Sequence, residues 1–92
     1  MKLIVDIGNS RTKLALFDEK HLVKHEITSN FSKDSLSKFC DNYLVNSSIF
    51  SSVRILSKAD HRLISSYNGL LLDSKMPLPI QWKHAYILSI SA

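Results

Sequence analysis

Glycine and proline are scarce here, with two of each among 92 residues, and there is no low-complexity tract or internal repeat. Cys40 is the only cysteine, so a disulfide within the chain is excluded, and the usage suits a reducing cytoplasm. No apolar run approaches the ~20 residues of a membrane span. The opening Met1-Lys2-Leu3-Ile4-Val5 is cut off at once by Asp6, which is not the pattern of a signal peptide. Charge of one sign is also lacking. Twelve Lys and Arg stand against eight Asp and Glu, and the excess of +4 is scattered, with no block of five like charges. No aromatic platform is interleaved with the basic residues, so neither nucleic acid nor a membrane is an indicated partner.

What is present is one domain at the small end of what folds unaided, with 45% apolar and 22% charged residues. Residues 2–6, KLIVD, read as a buried strand ending on a carboxylate. After the turn chemistry of Gly8-Asn9-Ser10, TKLALF alternates, with Leu14 and Leu16 on one face and Lys13, Ala15 and Phe17 on the other. DEKH is a further turn, and LVKHEIT a third strand, completing an antiparallel meander. The period then becomes helical: Leu36, Phe39, Cys40 and Tyr43 form a stripe behind Ser32 as N-cap. SSIFSSV is a fourth strand. A second helix follows Ser57 as N-cap and stops at Asn68-Gly69 through a left-handed C-cap, and LLLD is a fifth strand. The expected order is β-β-β-α-β-α-β, an α/β layer with a mixed sheet. From SKMPLPIQW onward no clear period is visible.

Two readings compete for Asp6-Ile7-Gly8-Asn9-Ser10. One is a plain hairpin turn with Gly8 and Asn9 at positive φ. The other uses the turn to hold a phosphate. Gly8 admits the backbone close to the ligand, and Asn9, the Ser10 hydroxyl and nearby N–H groups donate. Arg11, Thr12 and Lys13 add charge and another hydroxyl. A carboxylate such as Asp6, at the end of a buried strand, can hold Mg²⁺ through water.

The stretch DIGNSRTKLALF resembles the first phosphate motif of the acetate and sugar kinase, Hsp70 and actin superfamily. More narrowly it resembles the amino terminus of type III pantothenate kinases, the Baf-like family. The match lies in the spacing of Asp6, Gly8 and Asn9 and in a hydroxyl residue at Ser10. Ser51-Ser52-Val53 and Pro77-Leu78-Pro79-Ile80 are similar to later segments of that family. The resemblance implies a ribonuclease H-like half-fold over residues 1–81. It makes Asp6, Ile7, Gly8, Asn9, Ser10, Arg11, Thr12 and Lys13 the ATP-phosphate loop, with Asp6 the Mg²⁺ organiser. The implied reaction is ATP-dependent phosphorylation of pantothenate to 4'-phosphopantothenate, opening coenzyme A synthesis in the cytoplasm. A homodimer, and a K⁺ or NH₄⁺ ion bound outside this chain, are implied for the whole enzyme.

The match ends near Gln81. Where the family has a Thr-Leu-Gly-x-Asp-Arg type motif, Leu88 fits, but Ser89, Ser91 and Ala92 occupy the glycine, aspartate and arginine positions. A serine at position 91 cannot act as the general base, so no catalytic residue is assigned and the chain alone is expected to be inactive. Residues 82–92 are a tail of doubtful register, and the second half-domain is absent. A truncated or frameshifted kinase product is the favoured account. The alternative is a non-catalytic phosphate-binding or regulatory relative keeping only the phosphate loop. A lone half-fold should also expose an apolar patch and self-associate.

The remaining residues take plainer roles. His21, His25, His61 and His84 sit in different elements without a metal-ligand pattern and read as surface histidines, with His21 and His25 on one strand face. Cys40 reads as core rather than nucleophile. Trp82 and Tyr86 could replace the family's substrate-contacting tyrosine but are not assigned. Asp73, at the end of the fifth strand, is either a ligand-facing or a solvated carboxylate.

Overall fold

A computed structural model describes residues 1–72. The expectations for Asp73, the Pro77–Ile80 segment, Trp82, His84, Tyr86 and Ser91 therefore lie outside the described residues.

Five strands and two helices follow the expected order. The strands are β1 (Lys2–Ile7), β2 (Thr12–Asp18), β3 (His21–Thr28), β4 (Ser47–Ser52) and β5 (Gly69–Leu71), with helices α1 (Lys33–Phe39) and α2 (Lys58–Ser66). They form one mixed sheet in the order β3-β2-β1-β4-β5. β1–β2 and β2–β3 are antiparallel, while β1–β4 and β4–β5 are parallel. Parallel neighbours need a crossover, and α2 supplies it between β4 and β5. The arrangement is consistent with a ribonuclease H-like half-fold.

Strand alternation divides the apolar residues between two faces. Leu3, Val5 and Ile7 of β1, Leu14 and Leu16 of β2 and Phe50 of β4 pack with Leu36 and Phe39 of α1 and Ile64 of α2. Ile4, Ala15 and Phe17 point the other way and form a second buried cluster with Leu22 against it. The Leu14/Leu16 and Ala15/Phe17 division is thus as the β2 alternation requires. Large apolar side chains that remain exposed include Ile27, Leu44, Val53 and Ile55.

Both helices begin as their sequences dictate. Ser32 and Ser57 are N-caps whose hydroxyls accept from the amides of Ser35 and Asp60, each at 3.1 Å, and both complete a capping box. α1 ends earlier than its apolar stripe suggested: Cys40 is the C-cap, and Tyr43 lies beyond the helix. The Lys24 ammonium closes this end, donating to the Phe39 carbonyl at 2.8 Å while lying 4.7 Å from the centre of the Phe39 ring. α2 does end in a left-handed residue, but that residue is Asn68, with φ 52°, and Gly69 already belongs to β5.

Two further expectations are corrected. β3 carries an irregularity opposite Leu16/Phe17. Lys24 pairs with Leu16 and Leu22 with Phe17, so Val23 is the extra residue. Such a bulge reverses the alternation, which places His21 and His25 on opposite faces rather than one. The hairpin after β1 also contains no positive φ at Gly8 or Asn9; among described residues only Glu19, Asn42 and Asn68 have it.

Candidate functional site

Parallel pairing brings the carboxyl ends of β1 and β4 side by side, the end at which open α/β sheets take ligands. Asp6 stands at that end. Its sheet neighbours are Lys13 on β2 and Ser51 on β4, so the three side chains share one row and one face. The Ser51 hydroxyl donates to Asp6 Oδ1 at 3.1 Å. One residue later, Ile7 is buried on the helix side, and its carbonyl accepts from the Val53 amide at 3.0 Å. That bond carries the β1–β4 ladder one step past the end of β4.

The loop above this row is closed by the Gly8 N–H donating to the Arg11 carbonyl at 2.8 Å. A Cβ on Gly8 would lie 2.9 Å from that same carbonyl oxygen. Glycine is therefore required by the close approach of two backbone segments, not by a left-handed conformation. The Gly8 amide is committed to the turn. Asn9, Ser10 and Arg11 are exposed at its tip, and the Asn9 and Ser10 amides make no hydrogen bond to the described residues.

Beside Gly8, which closes the turn, the other seven residues singled out by sequence fall into three groups. Asn9, Ser10 and Arg11 form an exposed donor-rich tip. Asp6 and Lys13 are half-buried partners on the row beneath it. Ile7 and Thr12 are paired with each other and buried at 0% and 1% exposure, which makes the Thr12 hydroxyl the least accessible of the proposed donors. Ser51 had no assigned role from sequence alone. The signal that would have found it is the parallel register, which sets position 51 beside position 6.

The donor set suits a divalent cation of the kind that keeps much of its water. Mg²⁺ is held by one or two carboxylates together with phosphate oxygens, and Asp6 provides one carboxylate beside a donor-rich loop. No group of three or more His, Cys, Asp or Glu side chains comes together among the described residues, so a cage made of protein alone is not formed there.

Elsewhere among the described residues the side chains take structural roles. Cys40 is buried, and burial pushes its thiol above the ordinary range, with Lys24 nearby pulling the other way. This is the environment of a core cysteine. Two surface grooves, of about 520 and 390 Å³, lie along the helices. The first runs between Ser32 and Lys33 on one side and Asp60, Arg62 and Leu63 on the other. Neither includes a residue of the β1–β2 hairpin. No helix among the described residues is long and apolar enough to cross a membrane.

Comparison with known proteins identifies relatives. The chain is 39% identical over 85 residues to a type III pantothenate kinase of Bacteroides fragilis, covering 87% of the chain and 34% of that relative. It is 38% identical over 82 residues to the enzyme so named in Phocaeicola vulgatus, again with 87% and 34% coverage. A type III pantothenate kinase of a second Bacteroides fragilis strain is 37% identical over 82 residues, with 89% and 30% coverage. The matched part is the amino-terminal portion of these proteins. The chain thus spans about a third of the length of the curated relatives it matches. No family model matches it.

Proposed function

For a chain related to the amino-terminal portion of type III pantothenate kinases, we propose that residues 6–13 form the ATP-phosphate site of a pantothenate kinase. The observation carrying this reading is the placement of Asp6 and the exposed Asn9–Arg11 tip at the shared carboxyl end of β1 and β4. Phosphoryl transfer is governed by positioning and charge neutralisation, and these residues supply both. Asn9, Ser10 and the loop amides donate to phosphate oxygens, and Arg11 and Lys13 bring positive charge. Asp6 would hold Mg²⁺, which when bound neutralises phosphate charge and orients the transferred group. The Thr12 contribution is secondary because of its burial.

In the complete enzyme the phosphate acceptor is pantothenate, and the product is 4'-phosphopantothenate. The homodimer, the cytoplasmic location and the K⁺ or NH₄⁺ requirement belong to that same reading, and no described residue is assigned to the monovalent ion. Ser91 occupies the general-base position, so the proposal includes phosphate binding by this chain without pantothenate turnover.

Titrating magnesium ATP into the isotope-labelled 92-residue chain tests the reading. The Gly8–Lys13 amide resonances should shift, those of α1 should not, and ADP release should be independent of pantothenate. Unchanged Gly8–Lys13 resonances at millimolar nucleotide would overturn the site. Pantothenate-dependent turnover would overturn the role given to position 91.

A further inference from the structure

The phosphate-site reading raises the question of which neighbours orient the Asp6 carboxylate at its strand end. Each rotamer that a carboxylate samples dilutes the one that meets a ligand. Ser51 answers this. Its side chain lies on the same sheet face as Asp6, in the neighbouring parallel strand and at the same register position. Its hydroxyl donates to Asp6 Oδ1 at 3.1 Å. The contact is half-buried, and Ser51 itself sits in the ordered body of β4 rather than in a loop.

Two neighbouring serines on β4 are engaged elsewhere. Ser52, the next residue, turns the other way and is used locally: its hydroxyl donates to the Arg54 carbonyl at 2.8 Å and accepts from the Arg54 amide at 3.2 Å. Ser48, on the helix face of β4, donates to the Tyr67 carbonyl at 2.7 Å and fastens the end of α2. Of the three serines, only Ser51 reaches the carboxylate.

We propose that Ser51 is a positioning residue, which fixes the Asp6 carboxylate in the orientation that receives Mg²⁺ with the nucleotide phosphates. The proposal rests on the phosphate-site reading above. A hydroxyl suits this position because it donates one hydrogen bond to a carboxylate without bringing a charge to compete with the cation. Alanine would leave the carboxylate without this constraint.

The test compares the full 92-residue chain with its Ser51→Ala and Ser51→Thr variants. Two readouts are taken: the Asp6 χ1 rotamer population from NMR couplings without ligand, and the Mg²⁺ dependence of ATP binding. Ser51→Ala should average the Asp6 rotamer and weaken Mg²⁺-dependent binding several-fold. Ser51→Thr, which keeps the hydroxyl on a strand-favouring side chain, should restore both. Magnesium-independent ATP binding should be the same in all three. If Ser51→Ala leaves the rotamer fixed and the Mg²⁺ dependence unchanged, the positioning role is overturned while the phosphate site stands. If the unsubstituted chain binds no magnesium ATP, the phosphate-site reading fails and the proposal falls with it.

Discussion

The Ser51 hydroxyl donates to Asp6 Oδ1 at 3.1 Å between residues 45 positions apart in the chain and adjacent in the sheet. This contact joins the two strands whose carboxyl ends carry the candidate site, and it makes Asp6 the first residue to test.

Replacing Asp6 with Asn removes the charge but retains an oxygen able to accept from Ser51. Folding stability should change little. Magnesium-dependent ATP binding should fall by roughly 10- to 100-fold, the equivalent of losing an interaction with a charged group worth about 1.5–3 kcal/mol. Isothermal titration at fixed Mg²⁺ checks this. Equal affinities for both proteins would remove Asp6 from the site.

Adding a methyl group at either glycine should destabilise the fold. At Gly69 a Cβ would lie 2.6 Å from Phe50 Cε1 and 2.8 Å from Ile64 Cγ2, both side chains being buried core. Gly69→Ala should cost about 1–3 kcal/mol, as overpacking does. At Gly8 the obstacle is a backbone atom, the Arg11 carbonyl across the turn, so Gly8→Ala should cost about 1 kcal/mol or more, at least the worth of the hydrogen bond that closes the turn. Urea unfolding gives both values, and no loss of stability at either position would contradict the close approaches described.

Stability should decline in alkali. Burial raises the Cys40 thiol above its ordinary value of 9.0, and burial followed by the nearby Cys40 raises the Tyr67 phenol above 10.0. A group whose pKa is raised on folding stabilises the fold fully below its unfolded value. That contribution is lost as pH rises through the folded value. The urea midpoint should therefore hold up to about pH 9 and fall beyond it, with a shallower fall in Cys40→Ala. An identical alkaline slope in that variant would show that Cys40 does not contribute.

Ser57→Ala should destabilise the fold by about 1 kcal/mol through loss of the α2 N-cap, and Ser57→Asp should recover most of it. Thermal unfolding followed by circular dichroism reads the difference. No change in Ser57→Ala would mean that the bond from the Asp60 amide contributes nothing net.

The elements and their order were legible because each carries a local signature. The β2 alternation, the α1 stripe and the two serine caps all act within a few residues of where they are written. The features that escaped are those decided by a neighbour distant in sequence. Nothing in LVKHEIT announces that Val23 is an extra residue; the bulge exists only in the pairing with Leu16 and Phe17. Gly8 reads as a turn glycine from composition, yet the atom that requires it is the carbonyl of Arg11 across the hairpin. The candidate site shows the same division. Its exposed loop could be marked from a short motif, whereas Ser51 becomes visible only once β1 and β4 are paired in register.

That pairing has a kinetic consequence. The β1–β2 hairpin can close early because its partners are near in sequence, but the Asp6–Ser51 contact must wait until β4 docks beside β1. Loop-closure entropy makes such long-range parallel contacts late and slow events. Half of the site is thus among the first structures the chain can form, and the other half is among the last. A ligand requiring both binds only the finished topology, and its binding energy adds directly to the stability of that topology.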